Sequence, residues 1–219
     1  MIIRVLAVAA AGLVAFSGTA AADPIKDAPE LTSNDLYKAA KLRKTPCALK
    51  KGTTRAATEK YLRTLVGCLD KAWRGDGVKV EITYEPDAGK KTYKSWPFPT
   101  REGLYVGLAD DWVKTRNDLP IIHRVAAAYG EYVQARSGIS RAAFALDYDG
   151  DEKVKDEQER RYAYQQDCLA GAAAKALGRP VKSWKPLLKG NKFYWFGQGH
   201  KAGGPSACNT WTASKSKVA

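Results

Sequence analysis

An α+β fold, mainly helical with one small sheet and two disulfides, is what the sequence predicts, and three observations predict it. Three long segments repeat apolar residues at helical spacing. Two short runs, Val78–Tyr84 and Gly103–Ala109, carry the residue types of strands. Four cysteines, Cys47, Cys68, Cys168 and Cys208, stand in a chain whose start reads as an export signal.

That start has one early cation, Arg4, an apolar run from Val5 to Phe16, and small residues ending in Ala20, Ala21 and Ala22 before Asp23. The pattern is that of a secretory signal peptide with an A-x-A site, so cleavage before Asp23 and a secreted product are expected. The run is shorter than the roughly 20 residues a bilayer requires, and Ser17, Gly18 and Thr19 interrupt it, so no membrane span is expected. Thiols outside the cytoplasm are normally oxidised, and the even cysteine count predicts two disulfides. Four cysteines permit three pairings, among which spacing does not choose.

Residues 23–52, broken by Pro24, Pro29 and Pro46, read as a surface arm pinned by Cys47. Thr53 and Thr54 offer an N-cap for the first long helix, whose Tyr61, Leu62, Leu65, Val66, Cys68, Leu69, Ala72 and Trp73 would line a buried face. Gly75 and Gly77 end it. Val78–Tyr84 alternates as a half-buried strand, and Pro86–Pro99 reads as a loop before the second strand. Asn117 and Asp118 before Pro120 mark the start of the second helix, with Ile122, Val125, Ala126, Tyr129, Tyr132 and Val133 inward and Gly138 closing it. A third helix spans about Val154 to Leu177, with Leu169, Ala172, Ala173, Ala176 and Leu177 inward, and stops at Gly178 before Pro180. The aromatic, glycine-rich end reads as a lid of turns tied by Cys208. The main domain is therefore expected over 53–211, with a flexible tail at 212–219.

The formal charge is +13, and the leader removes only Arg4 from it. Such a chain is attracted to polyanions, and for an exported protein an anionic envelope polymer is the nearest partner. The basic residues are dispersed, with clusters at Lys41, Arg43, Lys44 and at Lys90, Lys91, Lys94, which reads as solvated surface with no specific nucleic-acid site. Leu146 to Glu159 holds seven acids, Asp147, Asp149, Asp151, Glu152, Asp156, Glu157 and Glu159. A calcium loop of the EF-hand type requires Gly at its sixth position and Glu at its twelfth. Counted from Asp147, Gly150 is too early and Gln158 occupies the last position, so an acidic loop leading into a helix is expected instead.

Four segments then carry a resemblance. C-L-D-K-A-W (Cys68–Trp73), V-A-A-A-Y-G-E-Y-V-Q (Val125–Gln134), Q-Q-D-C-L-A-G (Gln165–Gly171) and W-F-G-Q-G followed by G-G-P-S-A-C-N-T-W (Trp195–Trp211) occur in one order. Together they resemble the secreted bacterial neutral zinc metallopeptidases, whose corresponding helix reads V-A-H-E-Y-G-H-H-V-Q. The resemblance covers most of the chain after Cys47 and implies a zincin-like metallopeptidase scaffold. It also implies Cys47–Cys68 and Cys168–Cys208 as the disulfides.

In that family two histidines one helical turn apart hold zinc, the intervening glutamate activates the metal-bound water, and a glutamate on the next helix is the third ligand. Carried onto this chain, the histidine positions are Ala127 and Glu131, the base is Ala128 and the third ligand is Ala163. Alanine has no donor atom, and one carboxylate does not hold zinc. His123, one turn earlier, is eight residues from Glu131, roughly 12 Å along a helix, too far to share an ion. The segment between Leu177 and Trp195 is also short for the family and lacks its Thr-His-Gly. No catalytic residues, metal or cofactor are therefore expected. The resemblance implies a non-catalytic homologue that binds a peptide or protein partner in the former active-site cleft. The competing readings are a cationic, envelope-associated structural protein and a hydrolase with residual or non-zinc activity, drawing on Asp147, Asp149 or Asp167.

Overall fold

The computed structural model describes residues 25, 28–86 and 94–219. The expected leader, Met1–Ala22, and its cleavage site before Asp23 lie outside the described residues, as do Lys90 and Lys91.

Local capping chemistry sets most element boundaries. In the arm, α1 (Pro29–Thr32) is followed by a 3-10 turn (Asp35–Lys38) capped by Asn34, whose side chain accepts from the Leu36 N–H. Cys47 then bridges to Cys68 on α2 (Arg55–Trp73), the pairing the resemblance implied. Thr54 is the N-cap of α2, accepting from the Ala57 N–H, and Arg74 ends the helix in the left-handed conformation. Tyr61, Leu62, Leu65, Val66, Leu69 and Ala72 are buried as the spacing predicts, while Cys68 and Trp73 are half-buried.

Both expected strands form, as β1 (Lys79–Tyr84) and β3 (Gly103–Leu108). Between them the structure adds β2 (Trp96–Pro99), which corrects the loop expected over Pro86–Pro99. The sheet order is β1-β3-β2, with β1 parallel and β2 antiparallel to β3. Two prolines in four residues conceal a strand from pattern reading. They are tolerated because β2 is an edge strand: Pro97 and Pro99 face Val106 and Leu104, and their peptide groups turn outward, where no ladder N–H is required. Leu104, Val106 and Leu108 of β3 point into the core.

After the short α3 (Asp110–Lys114) comes α4 (Leu119–Arg136), the expected second helix. Its start differs in detail from the expectation. Asn117 caps it, accepting from the Leu119 N–H, whereas Asp118 makes no cap bond and instead accepts from Arg179 at 3.1 Å. α4 packs against β2 and β3 as well as α2 and α6, and so lies between the sheet and the other helices. Gly138, in the left-handed region, leads into α5 (Ile139–Phe144).

α6 (Glu152–Ala176) starts at Asp151, which accepts from the Lys153 N–H. The acidic segment acts as the expected lead-in: Asp147 accepts from the Asp149 N–H in the turn, and Glu157 pairs with Arg161 on the helix. The lid of turns expected at the C-terminus is corrected by α7 (Gly190–Ala202). Its glycines lower intrinsic helix propensity by up to about 1 kcal/mol each, yet two glycines are what let it pack. A Cβ at Gly171 would lie 1.9 Å from the Phe196 carbonyl oxygen, and one at Gly199 would lie 1.8 Å from that of Cys168. The backbones of α6 and α7 therefore touch, and the Cys168–Cys208 bridge, also as the resemblance implied, clamps the following residues onto α6.

Residues 212–219, expected to be flexible, have docked contacts here. Val218 is buried, its carbonyl accepts from Arg160, and the Lys217 carbonyl accepts from the Trp195 indole N–H. The fully buried Arg161 reaches the start of this segment, donating to the Ala213 carbonyl and to those of Thr210 and Trp211 just before it. No described helix is long and apolar enough to cross a membrane.

Candidate functional site

Gly130 and Leu169 bring α4 and α6 into close contact, and the two helices run antiparallel past one another. Two polar contacts join them. His123 on α4 meets Asp167 on α6, and two turns further along α4 Glu131 meets the Tyr162 hydroxyl. Stepping one turn from the first contact, forward on α4 and backward on α6, takes His123 and Asp167 to Ala127 and Ala163. Beside this row lies a cavity of about 450 Å³. Ala127, Ala128, Glu131 and Ala163, the four positions singled out from the sequence, all line it.

The walls come from three elements. α4 supplies His123, Arg124, Ala127, Ala128 and Glu131, α6 supplies Ala163, Gln166 and Asp167, and Pro97 brings the outer edge of β2 to the rim. Leu187 and Leu188 close the far side, and the exposed Arg124 and Lys192 add positive charge.

His123 Nε2 lies 2.8 Å from Asp167 Oδ1. A carboxylate only accepts, so the imidazole donates through Nε2, and Nδ1 is left without a partner among the described residues. Trp184 and Phe196 hold the ring, at centroid distances of 6.4 and 6.0 Å. Asp167 is buried beside Cys168, as a satisfied carboxylate should be, but its histidine partner was not foreseen. The signal was available in the offsets: His123 precedes Ala127 by one turn, and Asp167 follows Ala163 by one turn. Two glutamines of the resembling segments also meet, with Gln134 Nε2 donating to Gln165 Oε1 at 2.7 Å inside the core.

Glu131 is half-buried, and burial raises its carboxyl pKa against the opposing effect of the Tyr162 hydroxyl, which donates to it at 3.5 Å. Burial likewise pushes the Tyr162 hydroxyl up to about 12. Asp147 and Asp149 lie in the exposed acidic turn and do not line the cavity. The donor set does not fit zinc of the family type. Methyl groups stand at 127, 128 and 163, Glu131 supplies the one carboxylate at the four positions, and Asp167 is taken up by His123. Among the described residues no group of three or more His, Cys, Asp or Glu side chains is arranged to hold a metal ion. None of the lining residues carries a hydroxyl or thiol. The outer edge of β2 accepts hydrogen bonds at its carbonyls but lacks N–H donors at Pro97 and Pro99, so an extended peptide cannot form a full ladder against it.

No family model, curated protein or solved structure matches this chain.

Proposed function

We propose that the protein is a secreted, non-catalytic protein on a zincin-like scaffold, which binds a peptide or protein partner in the cleft between α4, α6 and β2. The observation that carries this reading is the convergence of Ala127, Ala128, Glu131 and Ala163 on one cavity. Four positions drawn from two separate sequence segments would meet there if the resemblance extends to the fold. Side chains that would coordinate zinc or move a proton are replaced by methyl groups and one carboxylate, and the cleft they leave is a binding-site volume. Because β2 offers acceptors without donors along its outer edge, side-chain contacts with Arg124, Lys192, Glu131 and the His123 ring hold the partner more than a backbone ladder does.

The test is metal content together with hydrolysis of a general protein substrate, run on the native protein and on the variant Ala127→His, Ala128→Glu, Glu131→His, Ala163→Glu. The native protein is expected to hold no stoichiometric zinc and to cleave nothing, and the variant is expected to gain zinc. One zinc per native chain, with cleavage lost on chelation, would overturn the reading. Binding itself is tested with Ala163→Trp at the exposed α6 wall, which fills the cleft and should abolish retention of any peptide selected on the native protein.

The formal charge of +13 favours a second reading, in which the cationic surface holds the protein on an anionic envelope polymer. Retention on such a polymer is then expected to fall steeply between low and physiological salt. Salt-independent retention rules this reading out.

A further inference from the structure

α4 turns a second face to a second cavity. At about 3.6 residues per turn, Tyr129, Tyr132, Val133 and Arg136 lie on roughly the opposite side of the helix from His123, Ala127 and Glu131. They line a cavity of about 400 Å³, with the end of α2 as its floor and the arm as its far wall. The arm is fixed there by its backbone. The Leu42 N–H donates to the Gly203 carbonyl at 2.8 Å, and the Arg43 N–H donates to that of Ala72 at 2.9 Å.

The interior is apolar and aromatic. Ala72, Leu42 and Val78 contribute to it, and the Trp73 and Tyr129 rings stack at 6.3 Å. The Tyr129 hydroxyl donates to Asp70 at 3.0 Å, so its polar end already has a partner. The rim has the opposite character. Lys41, Arg74 and Arg136 are exposed there and make no ion pair among the described residues. Asp76 is the single acid of the lining. Arg74 is also set in place by its backbone, a left-handed C-cap whose N–H donates to the carbonyls of Asp70 and Lys71.

Three unpaired cations around an apolar recess have the complement of one kind of molecule. The volume falls within the small-molecule range rather than that of a macromolecular interface. We propose that this cavity binds a small amphipathic anion, an aryl or alkyl carboxylate or sulfonate. Its apolar body lies against Trp73 and the arm, and its charged end lies among Lys41, Arg74 and Arg136. The site is independent of the α4–α6 cleft and stands whether or not that cleft binds a partner.

The probes are 1-anilinonaphthalene-8-sulfonate and its uncharged relative N-phenyl-1-naphthylamine, titrated calorimetrically and by fluorescence into the folded protein. One sulfonate dye per chain is expected. Lys41→Gln combined with Arg136→Gln should weaken it about tenfold, the effect of about 1.4 kcal/mol lost at the rim, while the neutral dye changes less than about twofold. Ala40→Trp, placed at an exposed position of the arm wall, should exclude both dyes. Near-ultraviolet circular dichroism matching the native protein establishes that each variant is folded. Decanoate is expected to displace the dye. The proposal is overturned if the sulfonate dye binds without fixed stoichiometry, if the charge variants weaken both dyes equally, or if Ala40→Trp leaves binding intact. Stronger displacement by a short peptide ending in phenylalanine than by decanoate overturns the small-molecule assignment.

Discussion

The His123–Asp167 pair shows how much a single hydrogen bond can do in this cleft. It joins α4 to α6 beside Ala127, Ala128 and Ala163, with the histidine ring held by Trp184 and Phe196. His123→Ala and Asp167→Ala should each cost about 2 kcal/mol in urea denaturation, and the double variant should cost little more than either, because the same bond is removed in each. Glu131 makes the opposite contribution. Its folded-state pKa is raised by burial, so the folded chain holds the proton more tightly than the unfolded chain. Stability from this group is therefore fully present below the unfolded glutamate pKa of about 4.3 and is lost as pH rises through the folded value. Glu131→Gln is expected to raise the melting temperature at neutral pH and to make no difference at pH values below that window. Both partners lie more than 30 positions away, so the Tyr162 contact has no local signal, and the Asp167 contact is reached only by stepping one turn from the aligned pair Ala127 and Ala163.

At the scale of elements, amphipathic spacing located α2, α4 and α6 to within a few residues, because each buries one stripe of its own surface. α7 and β2 escaped for opposite reasons. The glycines of α7 argue against a helix until α6 is beside it, where Gly171 and Gly199 allow the backbones to meet. Gly199→Ala should consequently destabilise the protein by about 3 kcal/mol, whereas alanine at an unobstructed helical glycine normally stabilises. The prolines of β2 argue against a strand until its edge position is known. The buried Arg161 is the third device at this scale. It holds the final segment through carbonyls of Thr210, Trp211 and Ala213, and Arg161→Ala is expected to cost about 3–5 kcal/mol and to release those residues to hydrogen exchange.

Over the whole molecule, the two bridges fasten the ends to the helical body: Cys47–Cys68 ties the arm to α2, and Cys168–Cys208 ties the C-terminal residues to α6. Replacing the second pair by alanine should cost about 2–4 kcal/mol and lower the melting temperature, with the loop it closes as the source of the effect. Composition and local pattern by themselves determined the α+β class, the three long helices, two of the three strands, the even cysteine count and the identity of the residues at 127, 128, 131 and 163. These properties are local, because apolar period, caps and residue types are written along the chain. Only the tertiary structure decided that β2 is a strand, that α7 is a helix, that the last residues are docked, and that His123 faces Asp167. It also placed two cavities on opposite faces of α4, one opening between helices beside β2 and one beneath the arm. The physical reason is shared by all of these: each depends on a neighbour distant in sequence, whose packing outweighs the local preference of the residues concerned.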